Sequence, residues 1–212
     1  SITAVGCMVV QYFVNGLGVI YTSAYSACSK YINLFMQPAA TAGLAMSSFT
    51  SQNYGAKRYD RIREGLHVCL SIALIAYVVL GSVMFFFPRA LALLMLNGEE
   101  SIALVVEFLP ICGLMIWGVD SLFVFRNGCQ GMGKPLIPMI SGVAEMIMRI
   151  AAIVLLVNVV GFRATAYAEV AAWLVALAMN FTAFVYHLRK EMKYIEIPEA
   201  TGKKYHYKLR RG

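Results

Sequence analysis

The segment LHVCLSIALIAYVVLGSVMFFF, from Leu66 to Phe87, contains no Asp, Glu, Lys or Arg and ends at Pro88. A helix that crosses a membrane needs about 20 consecutive apolar residues, and this segment has that length. The whole chain of 212 residues is 60% hydrophobic and 14% charged, whereas soluble domains carry about 25% charged residues. The sequence therefore predicts an integral membrane protein.

Five further segments are similarly apolar, so we predict an all-α bundle of six transmembrane helices. The predicted spans are 2–21, 24–49, 66–87, 102–125, 136–160 and 165–188, and they form one bundle over residues 1–188. Residues 88–98 are apolar but too short to cross, which favours an interfacial helix on the outer side. The chain starts inside an apolar run without a basic leader, so we expect it to be cut from a longer protein.

The net charge of +7 comes from basic residues that lie between and after the apolar segments. This placement is typical of juxtamembrane anchors at the lipid bilayer, and we expect no nucleic-acid partner. The two basic loops and the tail contain Lys57, Arg58, Arg61, Arg63, Arg126, Lys134, Arg189, Lys190, Lys193, Lys203, Lys204, Lys208, Arg210 and Arg211. The positive-inside rule predicts that loops 50–65 and 126–135 and the tail 189–212 are cytoplasmic in a multi-pass plasma-membrane protein.

Polar side chains follow one face of the second predicted span. They are Ser26, Lys30, Asn33, Gln37, Thr41 and Ser48. Their spacings are close to three, four and seven residues, which places them on one side of a helix. Because lipid satisfies no hydrogen bonds, such a face contacts protein or water. The pattern favours the wall of a hydrated substrate cavity, with hydrogen bonding between helices as the alternative.

Two further features accompany this stripe. Gln11 and Asn15 lie one turn apart in the first span and, with Gly18, either line the same cavity or pack against other helices. Pro38 has no backbone N–H, so we expect it to bend the second span near its middle.

Asp120 lies within the fourth span. It shares a helix face with Pro110, Gly113, Trp117 and Val124. A carboxylate in a membrane helix costs roughly 3 kcal/mol or more unless it is paired, hydrated or protonated. Asp120 is therefore a candidate for coupling to a sodium ion or a proton, and Trp117 is a candidate to stack on a flat or cationic ligand. The alternative is that Asp120 lies near the cytoplasmic end and forms a salt bridge to Arg126 or to a neighbour.

Glu145 and Arg149 lie four residues apart in the fifth span. This spacing predicts an ion pair within one helix, which allows both charges to be buried. The alternative is that a proton or a substrate perturbs this pair. Glu107 and Glu169 lie nearer the outer ends of their spans, where we expect them to reach the membrane interface.

Enzyme chemistry is disfavoured by the motifs. The sequence contains no H-E-x-x-H, no G-x-S-x-G and no Walker loop. The glycines of Asn127-Gly-Cys-Gln-Gly-Met-Gly-Lys-Pro135 favour a tight turn over a phosphate site. The five cysteines lack metal-ligand spacing and are predicted to be reduced packing residues. We therefore expect no enzyme, no cofactor and no metal beyond a possible coupling sodium ion.

Two stretches resemble the multidrug and toxic compound extrusion (MATE) transporters. One is Gln37-Pro-Ala-Ala-Thr-Ala-Gly-Leu-Ala45 with Ser51-Gln-Asn-Tyr-Gly-Ala-Lys-Arg-Tyr-Asp-Arg-Ile62, which resembles the second helix and following loop of a MATE half. The other, Phe125-Arg-Asn-Gly-Cys-Gln-Gly-Met-Gly-Lys-Pro135, resembles the loop after the fourth helix. The resemblance runs from about residue 2 to residue 188, and the style of the motifs is that of the C-terminal half.

The resemblance implies a twelve-helix fold made of two six-helix bundles across a central cavity. It implies export of organic cations or other toxic compounds, driven by sodium or proton entry, with the N-terminal half as partner. Asp120 matches the fourth-helix acid of the family, whereas the first span offers Thr3, Gln11 and Asn15 but no acid. This difference leaves open a sodium site with one carboxylate and neutral oxygens, or a proton site.

Two other functions are compatible with the sequence. A related lipid-linked oligosaccharide flippase would be expected to carry more cations in its cavity than Lys30 and Arg149. A non-transporting membrane scaffold would use its basic tail to recruit partners or anionic lipid.

Overall fold

The computed structural model describes residues 2–192, 194–198 and 205–209, with side chains described for residues 5–192. Its helices are α1 Ile2–Leu17, α2 Val19–Phe35, α3 Gln37–Gly55, α4 Tyr59–Ala76, α5 Ser82–Phe86, α6 Pro88–Met95, α7 Glu99–Gly131, α8 Leu136–Val160 and α9 Arg163–Met192. A π-helical segment, Tyr77–Gly81, joins α4 to α5. A hairpin of β1 Tyr194–Pro198 and β2 Tyr205–Leu209 follows α9.

Four helical stretches of the described residues are long and apolar enough to cross a membrane. They are Tyr59–Phe86, Glu99–Gly131, Leu136–Val160 and Arg163–Met192, and they correspond to the last four predicted spans. The first two predicted spans correspond to α1 and to the pair α2–α3, whose crossing of the membrane stays a prediction. Helix α6 coincides with the predicted interfacial helix.

The first two spans are divided differently from the prediction. The chain breaks at Gly18 rather than near Tyr21, since Gly18 has a φ of +114°, a conformation that glycine adopts readily. The second span is interrupted at Met36, two residues before Pro38. The missing N–H of Pro38 explains this interruption, as expected from the sequence.

Close approach of α3 to α7 depends on glycine. A Cβ atom added at Gly131 would lie 2.5 Å from the carbonyl oxygen of Ser47. Small residues allow helix backbones to approach closely in membranes.

The predicted tight turn is shorter than expected. Gly128 and Gly131 belong to α7, and the turn is confined to residues 132–135, where Gly133 has a φ of +71°.

Contacts between helix ends show which segments lie together. At one end, Tyr54 of α3 donates a hydrogen bond to Glu191 of α9 at 3.0 Å, and Gly131 of α7 lies against α3. At the other end, Arg163 of α9 pairs with Glu107 of α7 at 3.2 Å. The loops after α3 and α7 and the end of α9 therefore share one face of the bundle.

The hairpin after α9 was not predicted from the sequence. Its strands are antiparallel, with Tyr194 opposite Leu209 and Pro198 opposite Tyr205. Arg189 and Lys190, predicted as the start of the tail, lie instead in the last turn of α9. The tail residues Lys193, Lys203, Lys204, Arg210 and Arg211 lie outside the described residues.

Candidate functional site

A cavity of about 460 Å³ opens among α1, α2, α7, α8 and α9. This volume lies in the range of sites for small organic ligands, about 300–1,000 Å³. Its wall combines charged, polar and aromatic side chains with apolar ones. It is lined by Cys7, Gln11, Tyr25, Ser29, Ile32, Asn33, Met36, Val119, Leu122, Phe123, Arg126, Glu145, Arg149, Glu169 and Trp173.

Four charged residues in this wall form a continuous series of ion pairs. Arg126 of α7 contacts Glu145 of α8 at 2.6 Å. Glu145 also contacts Arg149 of the same helix at 3.2 Å. Arg149 then contacts Glu169 of α9 at 2.9 Å. We call these four residues the charge chain; it joins three helices and its formal charges sum to zero.

The charge chain continues to α1 and α2 through uncharged groups. The Tyr25 hydroxyl donates to Glu169 Oε1 at 3.3 Å. Arg149 Nη1 donates to the Cys7 sulfur at 3.1 Å. Because a buried charge must be paired and hydrogen-bonded, these contacts offset the cost of removing Glu169 and Arg149 from water.

The i,i+4 ion pair of Glu145 and Arg149 is confirmed. Two other predictions are wrong. Glu169 does not reach the membrane interface, because it is 8% exposed and bound to Arg149. Arg126 does not lie in a loop, because α7 continues to Gly131 and the Arg126 side chain turns toward Glu145. By contrast, Glu107 is half-exposed and pairs with Arg163, as expected for an interface residue.

Sequence reasoning missed Arg126, Glu169, Tyr25 and Cys7 as neighbours of the predicted pair. A signal existed for Glu169, since a carboxylate in an apolar helix requires a partner. Helical periodicity gives the face of a residue on its own helix but not which neighbouring helix that face meets.

Asp120 lies apart from the charge chain and is buried, with 1% of its surface exposed. Among the described residues, neither of its carboxylate oxygens has a hydrogen-bond partner. The alternative of a salt bridge to Arg126 or to a neighbour is therefore wrong among the described residues, and Arg126 pairs with Glu145. Asp120 is not among the described residues that line the cavity.

The other predicted site residues divide into two groups. Gln11 and Asn33 line the cavity together with the Glu145–Arg149 pair. The other four are exposed and are not among the described residues that line the cavity; they are Asn15, Lys30, Gln37 and Trp117. The members of the polar stripe, namely Ser26, Lys30, Asn33, Gln37, Thr41 and Ser48, are all exposed on this chain. Apart from Asn33, which lines the cavity, the stripe therefore faces away from the helices described here.

Local hydrogen bonds hold part of this stripe to its own helix. Asn33 Nδ2 donates to the carbonyl of Ser29 at 2.8 Å, and Gln37 Nε2 donates to the carbonyl of Asn33 at 3.1 Å. Thr41 donates to the carbonyl of Gln37 at 2.9 Å. These side chains therefore spend a donor on the preceding turn of their own helix rather than on a neighbouring helix.

A family model matches residues 2–155, and its description is MatE. The chain belongs to the MatE family. This is a family of membrane transporters rather than enzymes, and it agrees with the resemblance seen in the sequence. A relative, the probable multidrug resistance protein YoeA of Bacillus subtilis (strain 168), is 28% identical over 99 residues, which cover 47% of this chain and 21% of YoeA.

Solved MATE structures share the fold. The Vibrio cholerae MATE transporter VcmN in the bent form matches with a TM-score of 0.81 and 15% identity, covering 89% of this chain and 43% of VcmN. A MATE in complex with MaD5 matches with a TM-score of 0.76 and 19% identity, covering 96% of this chain and 46% of that one. The MatE chain described here thus spans less than half the length of these relatives and is a multi-pass membrane protein with roughly half of a MATE fold.

Proposed function

We propose that this chain forms one six-helix bundle of a secondary active multidrug exporter. The transporter exchanges small organic substrates, such as organic cations and other toxic compounds, for sodium ions or protons. Its partner is the N-terminal six-helix bundle of the same transporter. Membership of the MatE family and similarity to YoeA, a probable multidrug resistance protein, support this proposal.

The buried carboxylate of Asp120 is the observation that carries the coupling role. Both of its oxygens lack a hydrogen-bond partner among the described residues, and an unpaired buried charge is costly. Binding a proton or a hard cation such as sodium removes that cost, since carboxylate oxygens suit both. Binding of an entering ion therefore stabilises the unpaired carboxylate of Asp120.

Alternating access follows from this coupling. Loading Asp120 stabilises one arrangement of the two bundles, and substrate in the cavity favours the other. Each ligand shifts the equilibrium only by its differential affinity for the two arrangements. The interruption of the second span at Met36 provides a point at which α2 and α3 can change their angle.

Asp120→Asn in the full-length gene product tests the coupling role. Export of a fluorescent organic cation from vesicles is measured under a sodium gradient and under a proton gradient. We expect a loss of ion-driven export within the range of typical coupling factors, roughly 5–150-fold. Asp60→Asn is the matched control, because Asp60 is exposed at the start of α4. Unchanged export and ion dependence in Asp120→Asn would contradict the role.

A lipid-linked oligosaccharide flippase is the second candidate, because Arg126 and Arg149 both line the cavity. A phosphate-bearing substrate needs cations that are free to bind it. Here Glu145 and Glu169 neutralise both arginines. This neutrality favours the exporter.

The proposed orientation places the loops after α3 and α7 and the end of α9 in the cytoplasm, with the protein in the plasma membrane. Lys57, Arg58, Arg61, Arg63 and Lys134 lie in or next to these loops, which supports the positive-inside assignment.

A further inference from the structure

A stripe of apolar side chains on α4 and the π-helical segment after it faces away from the bundle. We call it the α4 stripe; its members are Val68, Ile72, Ile75 and Val79, and each is between 46% and 66% exposed. Their spacings of three and four residues place them on one side of a helix. Because this helical stretch is long and apolar enough to cross a membrane, lipid hydrocarbon covers the stripe in a bilayer.

Arg61 lies on the same side of α4 as the stripe, close to the start of the helix. It precedes Val68 by two helical turns, which correspond to about 10 Å along the axis. The headgroup region of one leaflet is about 5–7 Å thick, and an arginine side chain can extend along its helix to reach it. When the stripe lies in hydrocarbon, the Arg61 guanidinium therefore lies at the level of the lipid phosphates.

Phe49 of α3 holds the Arg61 guanidinium beside the stripe. The central carbon of the guanidinium lies 5.9 Å from the centroid of the Phe49 ring, which is within the range of a cation–π contact. The ring lies against Gly65, where an added Cβ would be 2.5 Å from two ring carbons. Since the ring is fixed between α3 and α4, it positions the cation, and the N–H donors at the edge of the guanidinium are left for an acceptor.

No carboxylate neutralises this cation among the described side chains. Neither Arg58 nor Arg61 forms an ion pair there, although Asp60 and Glu64 lie on the same turns of the chain. Residues 57–64 include four basic and two acidic residues, so this end of α4 is positive. The stripe therefore combines an apolar surface for a lipid chain with positive charge at the level of the headgroup.

We propose that Arg61 and the α4 stripe bind one anionic phospholipid, with the headgroup phosphate at Arg61 and an acyl chain along the stripe. A guanidinium binds phosphate through two parallel N–H···O bonds, which favours arginine at such sites. A zwitterionic lipid would bring its own ammonium group close to Arg58 and Arg61, so a headgroup with net negative charge is preferred. The site lies on the lipid-facing surface and does not depend on the exporter's substrate or coupling ion.

A tryptophan added to the stripe reports which lipid occupies it. Ile72→Trp is introduced into the full-length protein, and Ile72 is 46% exposed, so the larger ring is accommodated. The protein is reconstituted in vesicles of phosphatidylcholine with a minor fraction of phosphatidylglycerol. Bromine, which quenches tryptophan, is carried on the acyl chains of one lipid or the other at the same total amount of brominated lipid. The fluorescence of the protein without the added tryptophan is subtracted.

We expect brominated phosphatidylglycerol to quench the added fluorescence as strongly as a roughly fivefold larger amount of brominated phosphatidylcholine, as is typical of one basic residue near an anionic headgroup. Arg61→Gln should abolish this preference. Arg63→Gln is the matched control, because Arg63 is exposed, carries the same charge and lies two residues away on a different side of α4. It should retain most of the preference.

The Ile72→Trp protein alone decides the question if an arginine variant fails to fold. Equal quenching by the two brominated lipids overturns the inference. A preference that survives Arg61→Gln also overturns it, because Arg61 would then not hold the headgroup. Equal losses in Arg61→Gln and Arg63→Gln do the same, since a diffuse positive field rather than a site would then attract the lipid.

Discussion

Arg149 and Glu169 lie on different helices, α8 and α9, and their side chains meet at 2.9 Å. Arg149 is 2% exposed, so its guanidinium takes its hydrogen bonds and its counter-charge from protein groups rather than from water. Its other contacts reach Glu145 on its own helix and Cys7 on α1. The pair therefore holds three helices around one buried cation.

Glu169→Ala should destabilise the bundle strongly. Removing one partner of a buried ion pair leaves an uncompensated charge and typically costs about 3–5 kcal/mol. The apparent melting temperature of the full-length protein in detergent is measured from the monodisperse fraction that remains after heating. We expect a clear decrease for this variant.

Glu107→Ala is the control for that measurement. Glu107 also pairs with an arginine, Arg163, but both side chains are about half-exposed. Exposed pairs contribute little because water screens them. If the two variants lowered the melting temperature equally, the buried pair would not have the stabilising role assigned to it.

Part of this site could be predicted from the sequence. The spacing of Glu145 and Arg149 predicts their pair because residues four apart on a helix are neighbours. Glu169 was assigned to the interface because its position along α9 is close to one end of the helix. Burial depends on packing across α2, α8 and α9, and the pattern of one helix does not contain this information.

Gly131→Ala should weaken the packing of α3 against α7. The new Cβ would lie 2.5 Å from the Ser47 carbonyl oxygen, so a backbone must shift. Overpacking of this kind costs about 1–3 kcal/mol. Gly55→Ala is the matched control, since nothing lies within 4 Å of a Cβ there. We expect a lower melting temperature for Gly131→Ala and no decrease for Gly55→Ala; the reverse order would contradict the close approach.

Tyr54→Phe should loosen the attachment of α3 to the end of α9. The Tyr54 hydroxyl donates to Glu191 at 3.0 Å. Burial and this hydrogen bond raise the pKa of Tyr54 from 10.0 to about 12. Because the folded-state pKa is raised, the stabilisation is present below pH 10 and is lost as the pH rises through about 12.

The measurement for Tyr54 is the difference in melting temperature between the unmodified protein and Tyr54→Phe as a function of pH. Near pH 8 we expect Tyr54→Phe to melt slightly lower than the unmodified protein, which corresponds to a loss of stability on the order of 0.5 kcal/mol for a partly exposed hydrogen bond. This difference in melting temperature should narrow above pH 10. Tyr186→Phe, at a side chain that is 62% exposed, should show no difference. A difference that grows with pH would contradict the assignment.

The fold could be predicted further than the site. Apolar length identifies the four long helical stretches, and Pro38 predicts the interruption of the second span. The end of α7 was placed too early, at residue 125, because Arg126 and the following glycines are typical of a loop. In the structure the glycines permit close helix packing, and Arg126 finds a buried carboxylate.

The orientation of the bundle predicts opposite accessibility for Arg63 and Arg89. Arg63 lies in α4 one turn after Tyr59, whose hydroxyl donates to Glu191 near the end of α9 at 3.5 Å, whereas Arg89 lies in α6 and pairs with Glu99 at 3.0 Å. Both are exposed, so Arg63→Cys and Arg89→Cys should leave the fold intact. In intact cells that produce the full-length protein, an impermeant maleimide should label Arg89→Cys, and Arg63→Cys should react only after permeabilisation. Labelling in the opposite order would invert the proposed orientation, because the basic loops would then lie outside the cell.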